Sequence, residues 1–357
     1  MKPNAIIAPG QSAQYVGMGS DLVSSKNQVI NDITGKIYQK ANEILGFDLM
    51  GICFNGPKES LDKTLVTQPA VLVHSIACYE VFKALYKQSL GEEFDFAVAA
   101  GASLGEYFAL YSAGVLDYER VLSIVQKRAI AMTEVINQPG YDAGRQLLLN
   151  VEAATLDDVC AQFGLEQSNC NIGGKRSATV VGGAVKDVDA AIEYLHATLK
   201  GAGVSLMVIP LPTEAAFHTS LMTPARRKFA PVVSSYEFLP FQRNVVSNCT
   251  GQLYAQDGSD IRINLIHQID SPVRWLYGMR TIMKELSQLE GNQAIFEFGG
   301  GKPTETNPAN QRGNFGGTTR KNLTEMGINP KDISLYDCVS ERTILETIDK
   351  LRQDAGR

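Results

Sequence analysis

Phe96-Ala97-Val98-Ala99-Ala100-Gly101-Ala102-Ser103-Leu104-Gly105-Glu106 is the stretch whose reading decides the fold. Phe96 to Ala100 is a short unbroken apolar run, the pattern of a central strand in a parallel sheet covered on both faces. Glu106 to Ala113 then has helical character and stops at Gly114. Between strand and helix stands Gly-x-Ser-x-Gly. The small residues Gly101, Ala102 and Gly105 let the backbone turn sharply, which pushes the Ser103 hydroxyl out at the strand's C-terminal end. The helix behind it aims its N-terminal N–H groups at the same spot, where an oxyanion would form. A tight turn whose serine merely caps the helix is the plainer alternative. The flanking strand and helix favour a nucleophile.

Working outward, Ala5 to Ala8 reads as a buried strand stopped by Pro9-Gly10. Ile33, Ile37, Ala41 and Ile44 recur at helical spacing between Asp32 and Leu45. Gln68 to Tyr86 reads as a helix apolar over much of its surface, and Val121 to Ile136 as another. From Gly144 to Pro210 the rhythm changes. Strands at Gln146–Val151, Ser177–Val181 and Val204–Ile209 alternate with helices at Thr155–Phe163 and Asp187–Leu199. This β-α-β-α-β run predicts a small ferredoxin-like unit, residues 144–210, inserted into a larger α/β domain of residues 1–143 and 211–357. Gly299 to Arg320, rich in Gly, Asn, Thr and Pro, reads as an irregular loop. A strand at Ser334–Tyr336 and a polar helix from Glu341 to Gln353 follow it.

Composition bounds the function classes. The 357 residues are 44% hydrophobic and 20% charged, ordinary globular values that suffice for a large core. A net charge of −5 gives no electrostatic reason to expect nucleic acid. Cys53, Cys78, Cys160, Cys170, Cys249 and Cys338 are scattered without a CxxC pair, so reduced thiols are expected rather than a metal site or disulfide scaffold. The apolar run after Lys2 is too short for a signal-peptide core, and no later stretch reads as a membrane span. The expectation is a cytoplasmic protein without a membrane partner.

A serine nucleophile needs a base, and the chain has four histidines. His74 lies within an apolar helix and reads as core. His196 lies on the amphipathic helix of the small unit and reads as surface, while His267 has no distinguishing feature. His218, in Glu214-Ala215-Ala216-Phe217-His218-Thr219-Ser220, sits in a small-residue loop after a strand, where catalytic bases belong. It is the favoured candidate.

Several blocks now carry a resemblance. They are Pro9-Gly10-Gln11 with Gln14 and Gly17-Met18-Gly19, Thr67-Gln68-Pro69-Ala70, Gly101 to Glu106, Ala113-Gly114-Val115-Leu116 and Arg128. Ala216-Phe217-His218 with Leu221-Met222-Pro224-Ala225, Ser247-Asn248-Cys249-Thr250-Gly251, Gln268 with Ser271 to Trp275, and Glu297 with Gly299 to Lys302 continue the series. Together they resemble the malonyl-CoA:acyl carrier protein transacylase family, which serves fatty acid and polyketide synthesis. The resemblance implies an α/β-hydrolase-like large domain with a parallel sheet and an inserted ferredoxin-like subdomain. It also implies that Ser103 attacks an acyl-CoA thioester with His218 as base, the backbone N–H groups of Gln11 and Leu104 forming the oxyanion hole. The carbonyl of Gln268 would orient His218 in place of a carboxylate. Arg128 would grip the free carboxylate of a malonyl group, because a guanidinium fork matches a carboxylate with two parallel hydrogen bonds. Coenzyme A enters as a thioester substrate, and no bound cofactor is implied.

The chain departs from the family at informative places. Ala102 stands where the family has histidine, which alters the pocket wall; Phe217 resembles members that exclude a 2-methyl group. Gly299-Gly300-Gly301-Lys302 replaces a Gly-Pro-Gly, and the chain runs on to Arg357. These departures suit a polyketide-pathway enzyme acting in trans. The implied acceptor is an acyl carrier protein, with Arg226-Arg227-Lys228 as a candidate docking run, although such a run is often only the solvated face of a helix. Competing readings are an acyl-carrier-protein hydrolase or a transacylase for a non-malonyl unit, a serine esterase with an acidic third triad member, and a non-catalytic carrier-binding subunit. Arg128 argues against the first, the Gln11 block against the esterase, and the joint presence of Ser103, His218 and Arg128 against the last.

Overall fold

The structure, a computed structural model, describes residues 2–173, 176–200, 207–211 and 213–356. Its strands are β1 (Asn4–Ala8), β2 (Val98–Gly101), β3 (Arg145–Glu152), β4 (Glu166–Ile172), β5 (Arg176–Gly183), β6 (Met207–Pro210), β7 (Asn244–Val245), β8 (Ala294–Phe298) and β9 (Ser334–Cys338). Five of them form a wholly parallel sheet in the order β7-β2-β1-β8-β9.

Successive side chains on a strand point to opposite faces, and both faces of this sheet are covered. Ile6, Ala8, Ala99 and Phe296 pack on one side with the helix Thr64–Leu90. Ala5, Ile7, Val98 and Ala100 pack on the other with Trp275, Met279 and Ile282 of the helix Trp275–Ser287. The registers Ile7–Ala100 and Ala8–Gly101 bring the C-terminal ends of β1 and β2 level, so Pro9-Gly10-Gln11 lies beside the turn that carries Ser103.

The helix Thr64–Leu90 corrects one expectation. At 27 residues and a window hydropathy of 1.3 it is long and apolar enough to cross a membrane by length and composition. That window is 89% buried inside the protein, so the apolarity serves the core. Phe82 shows how. Its ring lies within 5.8 Å of the rings of Tyr86, Phe94, Phe296 and Phe298, tying the helix to β8. Phe82→Ala is expected to cost about 3–5 kcal/mol in urea unfolding, because the cavity adds to the lost transfer energy. A loss below about 1 kcal/mol would show that the cluster repacks.

The second sheet is antiparallel throughout, in the order β4-β5-β3-β6. The helices Ala153–Phe163 and Val185–Lys200 share its core, which gathers Leu147, Leu149, Val181, Leu156, Val159, Val188 and Leu195. The order of elements is β-α-β-β-α-β, not the β-α-β-α-β that the sequence suggests. The unread strand is β4, Glu166-Gln167-Ser168-Asn169-Cys170-Asn171-Ile172, which is polar and pairs with β5 through two register shifts. Of the expected strand Val204–Ile209, residues 204–206 lie outside the described residues.

The segment Gly299–Arg320 is also more ordered than its composition suggests. The Glu297 carboxylate accepts the backbone N–H of Asn314 (2.5 Å) and of Phe315 (2.9 Å). Phe315 stacks on Trp275 at 4.5 Å. A helix, Gly316–Glu325, begins immediately after, and the following β9 becomes the sheet's edge strand.

Candidate active site

Ser103 follows β2 directly, with φ at 52°, in the left-handed region that a strand-to-helix elbow demands. Glycine is required on both sides. A Cβ on Gly101 would lie 2.1 Å from Gly105, and one on Gly105 would lie 2.3 Å from the Ala8 carbonyl oxygen. Asn248 locks the turn from outside. Its Oδ1 accepts the Ser103 N–H at 2.6 Å, and its Nδ2 donates to the Gly101 carbonyl at 2.7 Å.

His218 arrives from the loop after β6, also at positive φ (62°). The loop is tied down by Gln146 Nε2 donating to the Phe217 carbonyl (2.9 Å) and by Ala216 N–H donating to Ala143 (2.8 Å). His218 Nε2 lies 2.7 Å from Ser103 Oγ, and Nδ1 lies 2.7 Å from the Gln268 carbonyl oxygen. A carbonyl can only accept, so Nδ1 carries the hydrogen and Nε2 is left to take the serine proton. Burial, and then the charge of Arg128, push the His218 pKa down to about 4. The imidazole is therefore neutral, and able to act as a base, at physiological pH.

Arg128, on the helix Tyr118–Ile136, is the largest fully buried side chain among the described residues. Its Nη2 donates to Ser103 Oγ and to Gln268 Oε1, both at 3.1 Å. Its guanidinium sits 5.7 Å from the centre of the Tyr107 ring, while its buried Nε–H has no hydrogen-bond acceptor among the described residues. A buried guanidinium with an open donor, beside a nucleophile, is poised for an anionic ligand.

A cavity of about 290 Å³ opens on these groups. Ser103, His218, Arg128, Gln11, Ala102 and Phe217 all line it, so six of the residues singled out in the sequence meet at one place. Leu104 follows Ser103 in the chain, and Gln268 stands behind the histidine. The small sheet contributes Gln146, Asn169, Asn171 and Val180 to the opposite wall, and Asn314 and Phe315 close it from the C-terminal segment. Among the described residues no group of His, Cys, Asp and Glu side chains is arranged to hold a metal ion.

The other histidines stand apart. His74 is buried with Nε2 3.2 Å from the Val339 carbonyl, and His196 is exposed. His267 lies 3.2 Å from Arg226 Nη1. The basic run near His218 is largely engaged internally. Arg226 pairs with Asp270 at 3.3 Å and Lys228 with Glu134, which leaves Arg227 exposed without an ion pair among the described residues.

Sequence reasoning missed the layer behind the site. The carboxylate of Glu106, 1% exposed, accepts from Tyr254 Oη (2.6 Å), from Asn248 N–H (3.0 Å) and from Gln268 Nε2. Burial drives its pKa up to about 7 against those hydrogen bonds. Its motif, Gly101 to Glu106, was visible, but as a turn signature that says nothing of this role.

A serine on a strand-to-helix elbow, with a histidine oriented by a carbonyl and a buried arginine beside its hydroxyl, is an arrangement suited to acyl transfer on a parallel α/β scaffold. The comparisons agree. The acyl transferase domain model matches residues 6–230. The chain is 30% identical over 344 residues to the malonyl CoA-acyl carrier protein transacylase of Haemophilus influenzae, covering 96% of this chain and 99% of that one. It is 33% identical over 307 residues to the transacylase of the same name from Bacillus subtilis strain 168, covering 85% and 88%. A malonyl-transacylase solved in complex with its type II polyketide-synthase acyl-carrier protein superposes with a TM-score of 0.78 at 26% identity, over 97% of this chain and 99% of that one. The chain belongs to the malonyl-CoA:acyl carrier protein transacylase family and is an acyltransferase.

Proposed function

We propose that this enzyme moves a malonyl group from coenzyme A to the phosphopantetheine thiol of an acyl carrier protein, through an ester on Ser103. The observation that carries the reading is Arg128, buried with its guanidinium 3.1 Å from the nucleophilic oxygen. Burying a cation is costly unless something compensates it; the Glu106 carboxylate offsets part of that cost from behind the site, and an uncharged acyl chain adds no direct partner. The free carboxylate of malonyl does.

The reaction follows from the hydrogen-bond directions. Ser103 Oγ attacks the thioester carbonyl while His218 Nε2 takes its proton. The carbonyl oxygen, now an oxyanion, is held by the backbone N–H groups of Gln11 and Leu104 at the end of β1 and the start of the elbow helix. Collapse breaks the C–S bond, and His218 returns the proton to the departing thiolate of coenzyme A. The carrier's thiol then gives its proton to His218, attacks the Ser103 ester and takes the malonyl group. Ser103 leaves with the proton. No net proton or electron is gained. The Gln268 carbonyl keeps the imidazole in one tautomer throughout.

Ala102 and Phe217 would set the acyl selectivity: both line the cavity, Phe217 restricting a 2-substituent and Ala102 leaving room where the family has an imidazole. The pathway in this reading is fatty acid or polyketide synthesis, and the location cytoplasmic. Docking of the carrier falls near Arg226, Arg227 and Lys228, with Arg227 as the group free to meet an acidic partner. Arg227→Glu is expected to raise the carrier's KM about two- to tenfold and leave acylation by malonyl-CoA intact, since a rim charge is worth little on its own. An unchanged carrier KM removes this patch from the docking surface.

The lowered His218 pKa has a signature. Below it the imidazolium cannot accept the serine proton, so the rate of acylation by saturating acetyl-CoA, which has no carboxylate for Arg128 to hold, should stay flat from pH 6.5 to about 5 and fall as the pH drops through about 4. An acid limb at the ordinary histidine value would mean that the ring is solvated. The reaction itself is tested by mixing enzyme, malonyl-CoA and a holo acyl carrier protein and weighing the carrier. A carrier heavier by one malonyl group supports the proposal, and release of free malonate with an unchanged carrier would make the enzyme a hydrolase.

A further inference from the structure

Glu106 touches neither substrate nor base, yet it is buried against the centre of the site. We infer that Glu106 is a positioning residue for acyl selectivity: by fixing which way the side-chain amide of Gln268 faces, it keeps Arg128 aimed at a carboxylated acyl group. This inference rests on the reading of Arg128 as the carboxylate clamp.

The two ends of a glutamine amide have nearly the same shape, so only their partners decide which end is oxygen. The Gln268 side chain is wholly buried, so its protein neighbours make the choice. One end of its amide meets the Glu106 carboxylate and the Ser103 carbonyl oxygen, the latter at 2.9 Å. Both are acceptors in these contacts, so this end must be the NH2, and its two hydrogens are both used. The opposite end is therefore Oε1, and it faces Arg128 Nη2 at 3.1 Å. Arg128 in turn reaches Ser103 Oγ from the same nitrogen, with Nε still open. The orientation of the clamp is thus held by two acceptors behind it, the Glu106 carboxylate and the Ser103 carbonyl.

The second oxygen of Glu106 is filled. Tyr254 Oη and the Asn248 N–H both donate to Oε1, so the carboxylate cannot turn to offer Gln268 a different partner. A glutamine at 106 would have to present an NH2 at one of these two places. Towards Gln268 it would face another NH2 and push that amide off its place beside Arg128; flipping gives no relief, because it would set the Gln268 NH2 against the guanidinium and its oxygen against the Ser103 carbonyl. Turned the other way, the new NH2 would oppose the Asn248 N–H, and the Ser103 turn that Asn248 holds would loosen. The first consequence is specific to carboxylated acyl groups and the second affects every acyl group. The ratio of malonyl to acetyl acylation separates them.

The experiment measures initial rates of Ser103 acylation by malonyl-CoA and by acetyl-CoA, at equal low concentration, by quenching and intact mass. The pH is 8, above the range in which Glu106 takes up a proton. Arg128→Ala is expected to collapse the malonyl-to-acetyl ratio. Glu106→Gln is expected to lower the ratio about tenfold or more, the usual scale for losing a hydrogen bond to a charged group. Gln268→Leu cuts the same link from its other end, with the Glu106 side chain retained, and should lower the ratio similarly, with little further loss in the double variant because both act through one path. It keeps the test open should Glu106→Gln fold poorly. Equal slowing of malonyl and acetyl in both single variants, with the ratio still collapsed in Arg128→Ala, would overturn the inference and leave the clamp standing. An unchanged ratio in Arg128→Ala would overturn the clamp, and the inference with it.

Discussion

Ser103→Ala is expected to yield a folded protein that never carries an acyl group, with turnover reduced by about 10⁴-fold or more. The elbow geometry survives, because Asn248 grips the backbone on either side of the side chain and not the hydroxyl. What disappears is the hydroxyl oxygen 2.7 Å from the imidazole Nε2, just ahead of the elbow helix. His218→Ala should cost a similar amount, and the double variant little more than either single one, since groups that act as a unit are strongly non-additive. Turnover measured for the three variants checks this. If the two single losses instead multiplied in the double variant, serine and histidine would be acting on separate steps.

Arg128→Ala carries the second large effect, and its direction depends on the substrate. Two hydrogen bonds from a guanidinium to a carboxylate in a closed pocket are worth about 3–5 kcal/mol, so malonyl acylation should fall by roughly 10²- to 10⁴-fold. Acetyl acylation should fall far less, or rise, as the methyl group no longer meets a buried cation. The contrast matters more than either number. Arg128 also donates to Ser103 Oγ and Gln268, so its removal has some general cost. Rates of acyl-enzyme formation from the two thioesters separate the parts. An equal loss with both would mean that Arg128 only holds the serine in place. Arg128→Lys should recover little, because a single ammonium cannot reproduce the fork.

How much of this could be read from the chain varies with the kind of signal. Ser103 was legible because an elbow needs small residues at fixed offsets, and Gly101 and Gly105 announce it. His218 stood out as the one histidine in a small-residue loop after a strand. The carbonyl that orients it left no such trace. A backbone oxygen belongs to every residue, so Gln268 could be named only through the resemblance. Glu106 was hidden differently: a glutamate in the first turn of a helix looks like an ordinary favourable placement against the helix dipole. Only the folded chain shows that it is buried with three donors. Strand β4 failed the alternation test because Glu166 to Asn171 has no apolar face, being held by pairing with β5 and by the bridge from Asn169 to Val273. The helix Gly316–Glu325 begins with Gly-Gly-Thr-Thr, a poor helix start by propensity, and is fixed instead by Glu297 and by the Phe315–Trp275 stack. Local pattern failed wherever tertiary contacts decided the structure.

The central claim is a malonyl ester on one serine, selected by one arginine. The most direct measurement incubates the enzyme with malonyl-CoA and, separately, acetyl-CoA, quenches in acid, and maps the adduct by peptide mass. The expected result is a malonyl group on the peptide containing Ser103, formed much faster than the acetyl adduct and absent in Ser103→Ala. A malonyl group found on another residue, or acetyl taken up as readily as malonyl, would contradict it.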